Sequence, residues 1–237
     1  MLTGNRMDII GSAVSDTVPR FKAPAELIPA SNRPSVASPY LQSLLSKLRS
    51  PNSTALNDIA FALEEASHVA EVVNHQIKTS EFWNSGMNGA KLIGPLSHQL
   101  LSLPRVSESI LYLATCRHEA LREMVRLTLL IVLARLKLVF TQIAFELRPL
   151  ENRFTRTFAY GTSRHDGFPE LQLWALAIVG SSAAQGPSRD LYKSRICGIA
   201  GSMGIKGGAT AFLLVKDIFL LDDMMASDVG SLIDDSI

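Results

Sequence analysis

Glu64, His68, Glu71 and His75 follow one another at offsets of 0, 4, 7 and 11 residues. That spacing lays two carboxylates and two imidazoles along one face of a helix. Both groups are metal ligands by type. The row stands roughly 120° from the centre of the helix's apolar face at 100° per residue, so a solvated, ion-paired face is the expectation rather than a metal site. Arg117, Glu119, Arg122, Glu123 and Arg126 mix both signs at three- and four-residue spacings, which predicts a second solvated helix face held by weak pairs.

Asp222, Asp223 and Asp228 are similar in kind to the carboxylates that hold magnesium against a diphosphate in all-helical isoprenoid enzymes. Those enzymes carry a second acidic motif, Asn or Asp with Ser or Thr three residues on and Glu seven on, and the sequence has none. With Asp234 and Asp235 these residues instead predict an acidic, solvated tail. Gly201, Gly204, Gly207 and Gly208 surround Lys206 without the preceding strand that a phosphate-cradling loop requires, so they predict a helix-ending loop. No Gly-x-Ser-x-Gly nucleophile elbow occurs. No residue is assigned a catalytic, cofactor-binding or metal-ligating role.

The 237 residues suffice for one substantial core. With 23 basic and 22 acidic side chains the net charge is +1, so no global field attracts the chain to a phosphate backbone or an anionic bilayer. Direct nucleic-acid binding is not expected. Cys116 and Cys197 lie in apolar, helix-patterned text and are expected to be buried free thiols in a reducing compartment. His68, His75, His98, His118 and His165 find no Cys-x-x-Cys partner, so no structural zinc site can be written. The strongest apolar run, 127 to 134, falls far short of the ~20 residues that span a bilayer. The N-terminus lacks the continuous apolar region of a signal peptide. A soluble intracellular protein, nuclear or cytoplasmic, is the expectation.

The elements that must position these groups are helices. Residues 1–37 place Pro19, Pro24, Pro29 and Pro34 five residues apart among polar residues, which predicts a disordered arm. A helical domain is expected over 38–225 and an acidic tail over 226–237. Ser38 and Pro39 start a helix with Leu41, Leu44, Leu45 and Leu48 on one face. Ser53 or Thr54 caps a second, striped by Leu56, Ile59, Ala60, Leu63, Ala66, Ala70, Val73 and Ile77. Gly86 and Gly89 predict a break before a third helix over 92–103. Residues 107–147 are apolar on most sides, which predicts a central helix with an internal break. Pro149 is expected to close that region and 152–169 to form loops. Helices over 170–184, 189–203, capped by Gly204, and 210–225 follow. The predicted fold class is all-α, a multi-helix array around one apolar core with a disordered N-terminal arm.

Leu171, Leu173, Trp174, Leu176, Gly180 and Ala184, then Arg189 and Tyr192, Met203-Gly204, and Val215 with Ile218 to Asp222 resemble the C-terminal part of the fungal transcription-factor domain that follows zinc-cluster DNA-binding regions. Pro95 to Leu101 and Ala114 to Arg117 resemble that family's upstream segments. The resemblance spans about residues 80–225 and rests mostly on packing residues. Ala114 stands where the family has glutamate, Leu221 where it has a late tryptophan, and Gly207-Gly208 where it has an aromatic and acidic helix start. The chain from Glu146 to Phe158 is compressed, and the six-cysteine cluster is missing. The resemblance implies a transcription regulator for fungal secondary-metabolite genes that works through a protein partner, either a zinc-cluster regulator or another copy of itself. It is compatible with a small-molecule effector. The alternative is a cyclase- or pericyclase-type enzyme on the same scaffold, whose chemistry needs pocket shape rather than a motif.

Overall fold

The computed structural model describes residues 2–22, 37–76, 80–106, 116–140, 143–161, 167–183 and 186–237. Ser38 accepts a hydrogen bond from the Leu41 amide at 3.0 Å and Pro39 takes the first helical position, so α2 (Pro39–Leu48) starts where its capping chemistry dictates. Its four leucines are buried together. Ser53 caps α3 (Thr54–Gln76) through the Leu56 amide at 3.3 Å. The stripe from Leu56 to Val73 faces the core, with Ala70 partly buried against it. Ile77 lies outside the described residues. The short α4 (Ser80–Trp83) follows. Trp83 donates from Nε1 to the Gln76 carbonyl at 2.8 Å, and its ring lies 4.7 Å from that of Phe140 and 5.1 Å from that of Phe82.

The break expected at Gly86 and Gly89 lies just before them. Ser85 caps the chain by accepting from the Asn88 amide, so α5 runs Gly86–Ser102 with Pro95 inside it. The long apolar stretch resolves into α6 (Arg117–Val139), which is buried continuously from Ala120 to Ala134 and packs against α3, α5 and the two helices that follow it. Residues 107–115 lie outside the described residues. Pro149 does not close the region. It sits in the first turn of α7 (Leu147–Gly161), where a missing amide donor is harmless. The loop expected over 152–169 is therefore helical through Gly161. Polar residues facing solvent disguised an inner stripe of Leu150, Phe154 and Phe158.

The next helix, α8 (Pro169–Gly180), is buried at every position from Glu170 onward, a second central helix. In α9 (Pro187–Ser202), Tyr192, Ile196 and Ala200 face inward. Gly204 then adopts φ 72°, the left-handed turn expected of it. The helix expected over 210–225 divides into α10 (Gly208–Ile218) and α11 (Asp222–Asp234). Phe219 is extended between them because its carbonyl accepts from Trp174 Nε1 at 2.9 Å instead of continuing the helical ladder. The tail expected over 226–237 is largely α11, with Val229, Leu232 and Ile233 fully buried.

The described residues thus form eleven helices and no strand, an all-α fold around one core. The arm expected over 1–37 is helical in its first part, α1 (Leu2–Ser15), which packs against α5 and α7. The prolines that argued for an arm begin only at Pro19, and residues 23–36 lie outside the described residues.

Candidate functional site

Asp16 ends α1 at φ 47°, a left-handed conformation that aspartate tolerates, and the Thr17 amide closes the turn on the Ser12 carbonyl at 2.9 Å. This turn aims the carboxylate into the helical body. There Arg126 donates from Nη1 and Nη2 to the two Asp16 oxygens at 2.8 and 2.9 Å. Its other edge, Nε and Nη2, donates to Glu123 at 2.9 and 2.7 Å. Arg153 also pairs with Asp16, and Arg105 Nε donates to the Asp16 backbone carbonyl at 3.0 Å. Three guanidiniums from α6, α7 and the segment after α5 therefore converge on one carboxylate. Burial pushes the Arg105 and Arg153 pKa values below the ordinary arginine value, with nearby positive charge adding to the effect.

This cluster corrects the expected solvated face. Arg122, Glu123 and Arg126 are 6%, 2% and 1% exposed, whereas Arg117 is exposed as predicted. Arg122 donates to Asp58 Oδ2 at 3.0 Å and to the Pro104 carbonyl at 3.1 Å. Arg122 pairs with an acid on α3, and Arg126 pairs both with Glu123 along its own helix and with Asp16 at the end of α1.

A cleft of about 450 Å³ opens between the first turns of α7, the end of α8 and the start of α9. Several polar groups in and beside it bond one another. Arg135 donates to the Ile178 carbonyl at 3.0 Å and to the Ser182 hydroxyl, Ser182 donates to Glu151, and Tyr192 shares a hydrogen bond with Thr155 at 3.3 Å. A Cβ on Gly180 would meet the Tyr192 ring at 2.8 Å, so this glycine lets the ring lie flat against α8. Burial raises the Tyr192 pKa above its ordinary value, partly offset by the Thr155 hydrogen bond. A phenol with a raised folded-state pKa contributes stability below about pH 10, the unfolded value, and loses it as pH rises through the folded value. Tyrosinate absorbance should therefore show a late-titrating phase that Tyr192→Phe diminishes. An unchanged titration curve in that variant would contradict this placement of the ring.

At the far end of α6, Lys137 and Glu146 form a buried ion pair that ties the end of α6 to the start of α7. Glu146 Oε2 is buried with no partner among the described residues. Between these anchors Leu138, Val139, Ile143 and Phe145 are 51%, 37%, 66% and 66% exposed. Four large apolar side chains so exposed within eight residues are more than the singly scattered exposure of an ordinary surface.

The remaining sequence candidates disperse. Glu64 pairs with Arg49 at 2.6 Å, while Glu71 and His75 are exposed and His68 is half-buried. Among the described residues no group of three or more His, Cys, Asp or Glu could hold a metal, and no helix is long and apolar enough to cross a membrane. Asp235 pairs with Lys193 at 3.1 Å, and Asp228 is exposed. The glycine cluster ends α9 and starts α10. Cys116 and Cys197 form no disulfide, but Cys116 is half-buried and Cys197 is exposed, because Tyr192, Ile196 and Ala200 take the inward face of α9. Trp174, central to the family resemblance, is fully buried and serves packing. No protein-family model, curated protein or solved structure matches this chain.

Proposed function

We propose that this chain is a helical regulatory module that acts in the nucleus or cytoplasm by binding a protein partner, like the fungal transcription-factor region it resembles. The partner is a zinc-cluster regulator, which supplies the DNA contacts this chain lacks, or a second copy of the chain. The observation that carries this reading is the exposure of Leu138, Val139, Ile143 and Phe145 between the paired Lys137 and Glu146. Exposed apolar groups close together in the chain are what a protein interface buries at its centre. The cyclase- or pericyclase-type alternative has the 450 Å³ cleft to offer. That cleft opens to solvent, and its Ser182, Glu151, Thr155 and Tyr192 are engaged with one another or with the neighbouring Arg135. It is a better seat for a small-molecule effector than for a reaction that must exclude water.

The test is affinity purification of tagged full-length chain from its native host, beside the Ile143→Ser/Phe145→Ser variant. Both side chains are two-thirds exposed, so the variant should keep its melting temperature. Recovery of a zinc-cluster protein or untagged chain with the wild type, reduced at least tenfold with the variant, is the expected result. Equal recovery with both, or a co-purifying metabolite in place of a protein, would contradict the proposal.

A further inference from the structure

We propose that the cleft between α7, the end of α8 and the start of α9 binds a small organic acid, its carboxylate beside Arg148 and its apolar body against Leu147, Val179 and Ala183. At about 450 Å³ the cleft lies within the size range of small-molecule sites. The proposal deepens the reading of this cleft as an effector seat and does not depend on the Ile143 and Phe145 surface.

The polar groups of the cleft fall into two sets. In the first, every group is committed. Arg135 donates to the Ser182 hydroxyl and Ser182 donates to Glu151 at 3.3 Å, so the one carboxylate among the described lining residues is joined to a guanidinium through a single hydroxyl. Burial lowers the Arg135 pKa, and the nearby Glu151 carboxylate opposes that shift. Tyr192 and Thr155 share their hydrogen bond at 3.3 Å. The second set is Arg148, Asn152 and Ser188. These side chains line the same cleft, are exposed, and make no hydrogen bond or ion pair among the described residues. Arg148 and Asn152 stand four residues apart and so share one face of α7.

Charge then selects the ligand. Arg135 answers Glu151, which leaves the Arg148 guanidinium as the unmatched charge of the cleft. α9 also opens on Gly186 and Pro187 at the cleft wall with no side-chain cap, and this end of a helix favours negative charge over positive. A cation is therefore repelled, and a neutral molecule leaves Arg148 unpaired. An inorganic anion would leave the apolar side chains of Leu147, Val179 and Ala183 wet. A carboxylate matches the planar fork of arginine, brings the single charge that Arg148 lacks, and comes attached to a body that can cover those side chains.

The test is a titration of isotope-labelled full-length chain, followed by amide chemical shifts, with three probes: 2-naphthoate, its neutral counterpart 2-naphthalenemethanol, and acetate. The naphthoate should bind at least tenfold more tightly than either of the others and should shift the Ser182, Ala183 and Ser188 amides. Arg148→Gln, at an exposed residue, should keep the melting temperature and weaken naphthoate at least tenfold while leaving the alcohol unchanged. Glu151→Gln removes the nearest negative charge and should bind naphthoate at least as tightly as the wild type. Equal binding of naphthoate and the alcohol, binding of neither, shifts confined to another face, or undiminished binding in Arg148→Gln would overturn the proposal. The three probes on the wild type decide the ligand class without any variant, and none of these outcomes bears on recovery of a protein partner.

Discussion

Replacing Arg126 with methionine is expected to lower the stability of the folded chain by about 3 kcal/mol, since breaking a buried ion pair strands its partner without solvent. Methionine keeps most of the aliphatic volume, so the loss isolates the charge. Four hydrogen bonds vanish, two to Asp16 and two to Glu123. Asp16 still has Arg105 and Arg153 beside it. Glu123 is 2% exposed and fixed on α6 only three residues away. The triple variant Arg126→Met, Glu123→Leu, Asp16→Asn should recover most of the loss, because a buried charge network can often be exchanged for apolar packing at little net change. Chemical denaturation measures both. A loss below about 1 kcal/mol in the single variant would mean that Glu123 reaches water and is not held as described.

Trp174→Ala is the other large effect, at about 3–5 kcal/mol in the same measurement. The indole is fully buried on a helix that is itself buried all round, so the surroundings cannot collapse into the space from a solvent side. Its ring stands edge-on to Phe219 with centroids 6.4 Å apart. The substitution also removes the donor to the Phe219 carbonyl, the bond that separates α10 from α11. Trp174→Phe should retain the ring contact but lose that bond, and so fall between the wild type and alanine. Equal stability of the phenylalanine variant and the wild type would mean that the indole N–H does not hold the α10–α11 joint.

The helices were legible wherever a period of 3.6 met a capping residue. Ser38 with Pro39, Ser53, and Gly204 each mark a boundary that the structure keeps. Misreadings have two physical sources. Proline and polar residues in α7 read as loop because a proline in a helix's first turn looks the same, in sequence, as a proline that ends one. The break at Phe219 comes from a hydrogen bond to Trp174, 45 residues away, which no local pattern encodes. The same limit hid the charged cluster. Arg117 to Arg126 has the spacing of a solvated face, and what turns Arg126 inward is Asp16, 110 residues earlier in the chain. The one available signal was the apolar density around it: a helix buried from Ala120 to Ala134 leaves Arg122, Glu123 and Arg126 no solvated side to occupy. The Ile143–Phe145 patch was unreadable for the opposite reason, since apolar residues at the end of a central helix look like more core.

The most direct test of partner binding, against chemistry in the cleft, is the transcript profile of a native-host deletion strain complemented with one of two variants. Ile143→Ser/Phe145→Ser alters the exposed patch, and Glu151→Gln alters the cleft, with protein levels matched by blotting. A partner-binding regulator predicts that the patch variant fails to restore the wild-type profile while the cleft variant restores it. Restoration by the patch variant together with failure of the cleft variant would contradict the proposal and place the function in the cleft.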